Sequence, residues 1–157
     1  MFRELDKRNI NEVEKDILEN WKEKDIFNKT IENRKDKENW VFYDGPIYAN
    51  AKPGIHHVFA KTIKDTFCKY KTMQGYKVLR KIGLDTHGLP IEVNVEKKLG
   101  FKGKEDIEAF GVENFCKECN KTTATNIDEV NQVTDMMGQF IDTKNSYITY
   151  KNDYIET

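Results

Sequence analysis

The sequence predicts an α/β fold built on a βαβ unit with parallel strands, and three observations predict it. Residues 40–46, WVFYDGP, are aromatic and β-branched up to an Asp-Gly-Pro stop, as a buried strand ending in a turn should be. A helical pattern follows the loop IYANAKPG, with Phe59, Ile63, Phe67 and Tyr70 along one side and Gly75 where a C-cap glycine belongs. Residues 76–83, YKVLRKIG, then read as a second strand that ends at LDTHGLP. Strand, helix and strand within about forty residues make a crossover unit, whose connection is right-handed and whose strands run parallel.

The remaining elements follow in order. NEVEKDILENWKEKDIF places Val13, Ile17, Leu18 and Trp21 on one helical face, with Asn11 as the expected N-cap and Glu14 as its capping-box partner. Residues 29–39 are polar and read as a loop. Beyond Pro90 three helices are expected: PIEVNVEKKLG, KEDIEAFG, and a weakly patterned run from Val112 to about Met137. FIDTKNSYITYKNDYIET closes the sequence with β-prone residues among polar ones. Repeats and Pro/Gly/Ser linkers are lacking, so 1–157 is expected to be one domain, with 1–39 as an N-terminal helical extension.

Composition narrows the class. With 26 basic and 27 acidic side chains the net charge is −1, so nucleic acid or a membrane would have to be met by a local patch. The opening MFRELDKRNINEVEKD carries acids and no apolar core, and no apolar run is long enough to span a bilayer, so neither a secretory leader nor a membrane partner is expected. Three cysteines, an odd number, are expected to be reduced thiols in the cytoplasm.

Parallel sheets take ligands at the carboxyl ends of their strands. Two loops qualify, DGPIYANAKPGIHH and GLDTHGLP. The helix opening near Gly54 offers unpaired N–H groups and a partial positive charge, suited to an anion. A glycine-rich dinucleotide fingerprint and a P-loop are both absent, so a nucleotide would need another cradle. His56 and His57 could be a phosphate clamp, a metal site or ordinary surface; neighbouring helical residues point about a quarter-turn apart, which works against a shared ligand. No metal site is expected, because His87 is the only other imidazole. Asp85 and His87 alternate toward Gly88, where an aspartate can meet a ligand ammonium or simply cap a turn. Cys116 and Cys119 form a lone Cys-x-x-Cys without the second pair of a zinc ribbon, and read as structural thiols. Lys69, Lys71, Lys77, Arg80 and Lys81 bracket Gly75, either as a solvated rim or as a contact to a nucleic-acid backbone.

FYDGP, YAN, KTMQGYKVLRKIGLDTHGLPIE, MGQFID and YIT, in this order, resemble the amino-terminal catalytic segment of class I aminoacyl-tRNA synthetases, most closely the isoleucine branch. GLDTHGLPIE is the specific part. The resemblance implies the first half of a Rossmann-like parallel-sheet nucleotide-binding fold with an added helical segment. It implies activation of isoleucine by ATP, with Mg2+, to an aminoacyl adenylate, then transfer to tRNA. On that pattern Gly45, Pro46, Asp85 and His87 face the amino acid, Asp85 holding its ammonium. Tyr48, Asn50, Gly54, His56 and His57 lie on the ATP side, with His57 as the catalytic residue. The family signature, however, is His-Ile-Gly-His, preceded by Asp-Gly-Pro-Pro and Asn-Gly. Here Ile47 replaces the second proline, Ala51 the glycine, Gly54 the first histidine and His56 the motif's glycine. His56 is therefore expected to obstruct the nucleotide, and its place on the helix to bar it from standing in for residue 54. The Lys-Met-Ser-Lys-Ser loop and the second half of the nucleotide fold lie outside these 157 residues. A half-sheet leaves apolar surface uncovered. Two further expectations follow: the missing remainder of the enzyme as a partner chain, and no catalysis by this chain alone. The alternative is a non-catalytic relative that binds a ligand, RNA or a partner.

Overall fold

The computed structural model describes residues 7–42 and 44–156. Three strands, β1 (Ile47–Tyr48), β2 (Lys81–Asp85) and β3 (Asp142–Ile148), form one parallel sheet in the order β1-β2-β3. Helix α3 (Ile55–Met73) crosses from β1 to β2. Helices α4 (Leu89–Leu99), α5 (Lys104–Phe110) and α6 (Val112–Met136) cross from β2 to β3. In register, Tyr48 lies opposite Asp85 and Leu84 opposite Ile148, so the carboxyl ends of all three strands reach one edge together.

The core lies between sheet and α6. Ile82, Leu84 and Ile148 from the strands meet Ile127 and Val130 of α6, with Ala49 and Ile141 completing the cluster. Fully burying such side chains contributes roughly 1.5–3 kcal/mol each. The other buried positions of α6 include Thr123, Asn126 and Thr134, which explains why its apolar pattern looks weak in sequence. Leu89–Pro90 opens α4 as a helix start with proline should, and Gly100, at φ 76°, closes it in the left-handed conformation.

Some boundaries fall elsewhere than the sequence suggests. The strand expected over 40–46 is not a ladder strand. Trp40 N–H donates to the Lys77 carbonyl at 2.9 Å and Lys77 N–H to that of Glu38 at 2.9 Å, around an isolated Asn39–Lys77 bridge. The ladder forms at 47–48, beyond Pro46, and Tyr43 lies outside the described residues. Aromatic and β-branched composition reports a packing surface rather than a ladder, and here Trp40 and Phe42 stack at 6.2 Å. β2 likewise starts at Lys81, not at residue 76. The first helix, α1 (Ile10–Glu23), is capped by Asn9, whose side chain accepts the Asn11 N–H at 2.9 Å, so Asn11 is inside rather than at the cap. Part of the expected loop 29–39 is helical, since α2 spans Ile26–Glu32; seven residues are too few to show a periodicity. A last short helix, α7, covers Asn152–Ile155. Among the described residues no helix is long and apolar enough to cross a membrane.

Arg80 is not part of a solvated rim. It is buried, donating to the carbonyls of Phe140 and Cys68 at 3.1 Å each and to the Thr72 hydroxyl, with the Asp65 carboxylate at 3.6 Å.

Candidate functional site

The strand ends bring four side chains together. The Tyr48 hydroxyl donates to the His87 carbonyl at 2.5 Å. Burial, then the Asp85 and Glu92 carboxylates, raises its pKa, so it stays a donor at neutral pH. Thr149, the first residue after β3, is the hub. Its hydroxyl lies 3.4 Å from the Asp85 carboxylate and 3.0 Å from His87 Nδ1, and accepts the Thr86 N–H at 3.0 Å. A hydroxyl carries one proton, so if Thr149 donates to Asp85, His87 Nδ1 must be the protonated nitrogen and donate to Thr149. Thr86 fastens this corner, with its hydroxyl 3.1 Å from Thr149 and accepting the Tyr150 N–H at 3.1 Å. Asp85 is half-buried and His87 exposed, leaving carboxylate and imidazole at the surface of the sheet edge. Gly88 turns the chain away at φ 93°; a Cβ there would sit 3.4 Å from the Tyr48 hydroxyl and in a backbone region that disfavours side chains.

The loop from Tyr48 to α3 forms the second part. Asn126 of α6 donates to the Ala49 carbonyl at 2.8 Å and Asn94 of α4 to that of Asn50 at 2.6 Å, so helices from the other crossover hold the loop. Gly45 and Pro46 are exposed; Pro46 covers Gly83, where an added Cβ would lie 3.2 Å from the proline ring. Asp44 accepts from Lys64 at 2.5 Å.

At the start of α3 the two histidines behave differently. His57 Nδ1 accepts the Gly54 N–H at 3.0 Å, satisfying a backbone donor at the helix opening. Burial, His56 and Lys61 lower its pKa, in that order, and favour the neutral ring that this bond needs. The His56 ring lies 3.9 Å from that of His57, centroid to centroid, so the adjacent imidazoles do meet. His56 also folds back over Gly54: a Cβ on residue 54 would come within 2.8 Å of its Cε1. Gly54, the N-cap, is itself extended, at φ −85° and ψ 171°, and the His56 ring lies over it.

Two clefts adjoin the sheet. One, of about 330 Å3, opens beside Thr86, His87, Gly88 and Tyr150 and runs between Ile91 of α4 and Cys119 of α6. The other, of about 500 Å3, is lined by Trp21, Phe140 and Asp142 at the amino end of β3. The smaller is at the ligand-binding edge. In it burial and the neighbouring Cys116 push the Cys119 thiol up to about 11, which makes it a poor nucleophile. Among the described residues no group of three or more His, Cys, Asp or Glu side chains could hold a metal ion.

The structure thus gathers Tyr48, Asp85 and His87 at one corner, and Gly54, His56 and His57 at another. No hydrogen bond joins the two among the described residues. Sequence reasoning missed Thr149, Thr86, Asn94 and Asn126. For Thr86 and Thr149 the signal was their place inside the GLDTHGLPIE and YIT motifs; Asn94 and Asn126 gave none.

A family model described as tRNA synthetases class I (I, L, M and V) matches residues 16–157. Isoleucine–tRNA ligase of Clostridium kluyveri is 45% identical over 158 aligned positions, covering 100% of this chain and 15% of the relative. That of Bacteroides thetaiotaomicron is 47% identical, covering 99% and 13%. The chain therefore spans about 15% of the length of the curated relatives it matches. Among solved structures, the ternary complex of Agrobacterium radiobacter K84 agnB2 LeuRS with tRNA and LeuAMS superposes with a TM-score of 0.68 over 90% of this chain and 16% of that one. At 22% identity this likeness speaks for the fold alone, a Rossmann-like parallel sheet.

Proposed function

The chain belongs to the class I tRNA synthetases of the isoleucine, leucine, methionine and valine group, and from that premise we propose that it is the amino-acid- and ATP-binding part of an isoleucine–tRNA ligase. The single observation that carries this reading is the corner formed by Tyr48, Asp85, His87 and Thr149 at the carboxyl ends of three parallel strands. In this reading 1–157 is one partial catalytic domain with 1–39 as its helical extension, working in the cytoplasm. Its substrates are isoleucine, ATP with Mg2+, and tRNA.

Each role has a physical basis. Asp85 presents a carboxylate to the substrate ammonium, and the Thr149 hydroxyl keeps it oriented. His87 and the Gly45–Pro46 turn border the amino-acid side. The open start of α3 offers backbone donors and a positive dipole end to the ATP phosphates. Neutral His57 adds an Nε2–H donor while its Nδ1 holds Gly54. Tyr48 and Asn50 set the path of the loop between the two corners. Activation then rests on positioning and on donors directed at the phosphate in flight.

The test is calorimetric titration with a non-hydrolysable isoleucyl-adenylate analogue. Binding is expected, weakened at least roughly tenfold by Asp85→Ala, a loss of about 1.4 kcal/mol or more, near the lower end for one charge-assisted hydrogen bond. Binding that is unaffected by Asp85→Ala, or no binding at all, sinks the reading. A second reading, a non-catalytic relative that binds a ligand, RNA or a partner, is favoured by the His56 ring over Gly54, where the family pattern has its phosphate donor and glycine interchanged.

A further inference from the structure

The turn Asp44-Gly45-Pro46 is gripped from two sides. On one, the Pro46 ring covers Gly83 of β2, where an added Cβ would lie 3.2 Å from it. On the other, the Asp44 side chain reaches onto α3. Gly45 between them stands clear of the body, since a Cβ there would meet nothing within 4 Å.

The grip on α3 is made by charge. The Asp44 side chain is only 5% exposed, and a carboxylate taken out of water needs a partner. It accepts from Lys64 Nζ at 2.5 Å, the geometry of a charge-assisted hydrogen bond. Lys61, one turn earlier on the helix, is buried, and its ammonium meets the Gln139 side chain only at 3.5 Å. Burial lowers the Lys61 pKa, the Asp44 carboxylate opposes that, and Lys64 adds to it, so one carboxylate faces two lysines. The Lys69–Asp65 pair, four residues apart, lies within α3 and only staples one helix. The Asp44–Lys64 pair spans 20 residues and ties a loop to a helix. Among the described residues no hydrogen bond joins the Asp85 corner to the opening of α3, so this pair is where the Gly45–Pro46 side is set against the helix that starts at the other corner.

We propose that Asp44 and Lys64 are positioning residues, whose ion pair fixes the Gly45–Pro46 turn against α3 and so holds it where the amino-acid end of the adenylate meets it. The proposal rests on the family reading above and deepens it; neither residue touches the substrate.

The test compares Lys64→Met, Lys64→Arg and Lys22→Met with the parent chain. Lys22 pairs with Asp135 at 2.8 Å in the other cleft, so its variant controls for the loss of one charge and one ion pair. Two quantities are measured: the NMR position of the Gly45 amide without ligand, and calorimetric affinity for the non-hydrolysable isoleucyl-adenylate analogue. Lys64→Met should move the Gly45 amide and weaken the analogue roughly fivefold, as much as a half-exposed ion pair can contribute. Lys64→Arg keeps the charge and its donors and should bring both back toward the parent values. Lys22→Met should alter neither. Lys64 is 38% exposed, so circular dichroism should stay native in each variant. A Gly45 amide unmoved by Lys64→Met overturns the proposal, and so does an unchanged affinity. Equal effects of Lys22→Met, or a Lys64→Arg chain no better than Lys64→Met, overturn it as well. A parent chain that does not bind the analogue sinks the family reading instead, and the ligand-free Gly45 shift with its recovery in Lys64→Arg then decides whether the pair positions the turn.

Discussion

Two histidines in adjacent positions have taken on separate duties. His57 closes the opening of α3 through Nδ1, an acceptor only while that nitrogen is unprotonated. Its pKa is lowered from the ordinary 6.5, first by burial and then by His56 and Lys61. The folded chain therefore binds fewer protons at this site than the unfolded chain, and stability rises with pH across the window. The contribution is fully present above 6.5 and is lost as pH falls through the lower, folded value. An NMR titration of the imidazole carbons should place the His57 midpoint below 6.5, with the Gly54 amide shifting in step; a midpoint at or above 6.5 would contradict the bond. His56 has a different constraint. Its exposed ring lies over Gly54, with Cε1 2.8 Å from where a Cβ on that residue would sit, so a side chain at 54 would require the imidazole to turn aside.

On the element scale, α3 and α6 show what periodicity can and cannot tell. Both run as helices over the span their sequences suggest. In α6 the buried side contains Phe115, Ile127 and Val130. In α3 the buried side is polar, held by Arg80, Phe140 and Gln139, and the aromatic side faces out. Truncation should reveal the difference. Phe67→Ser is expected to change unfolding free energy by no more than about 0.5 kcal/mol, the range for surface positions. Ile82→Ala, in the core, should cost about 3 kcal/mol. Urea denaturation of both variants checks this, and equal losses would place the α3 stripe inside the folded unit. The helix, its Gly75 terminator and the Asp85 strand end were legible in the sequence because each depends on neighbours within a turn or two. The first strand was misplaced because WVF is built for packing, and the ladder needed partners from residues 77–85.

At the scale of the whole molecule, among the described residues the two-residue strand β1 forms one edge of the sheet, and α3 follows it in the chain. Preorganised electrostatic stabilisation depends on excluding water and enclosing the phosphates. This chain alone is therefore expected to show no ATP–pyrophosphate exchange with isoleucine above a blank. Clear turnover by the isolated chain would remove the need for a second half and with it the non-catalytic reading. Adenylate binding is still expected of the isolated chain, because Asp85, Thr149 and His87 are held by bonds within it.

The sequence by itself determined the α/β class, the βαβ order, the family, and the candidate residues from Gly45 to His87. Those depend on local propensity and on the order of short motifs. Only the tertiary structure decided that Thr149, 64 residues away, stands beside Asp85, that Asn126 ties down the carbonyl of Ala49, and that the apolar side of α3 points outward. Periodicity gives the angle between two faces of a helix but not which of them turns inward. That sign is set by what the rest of the chain can offer; among the described residues it offers a buried arginine to the polar side and leaves the apolar one exposed.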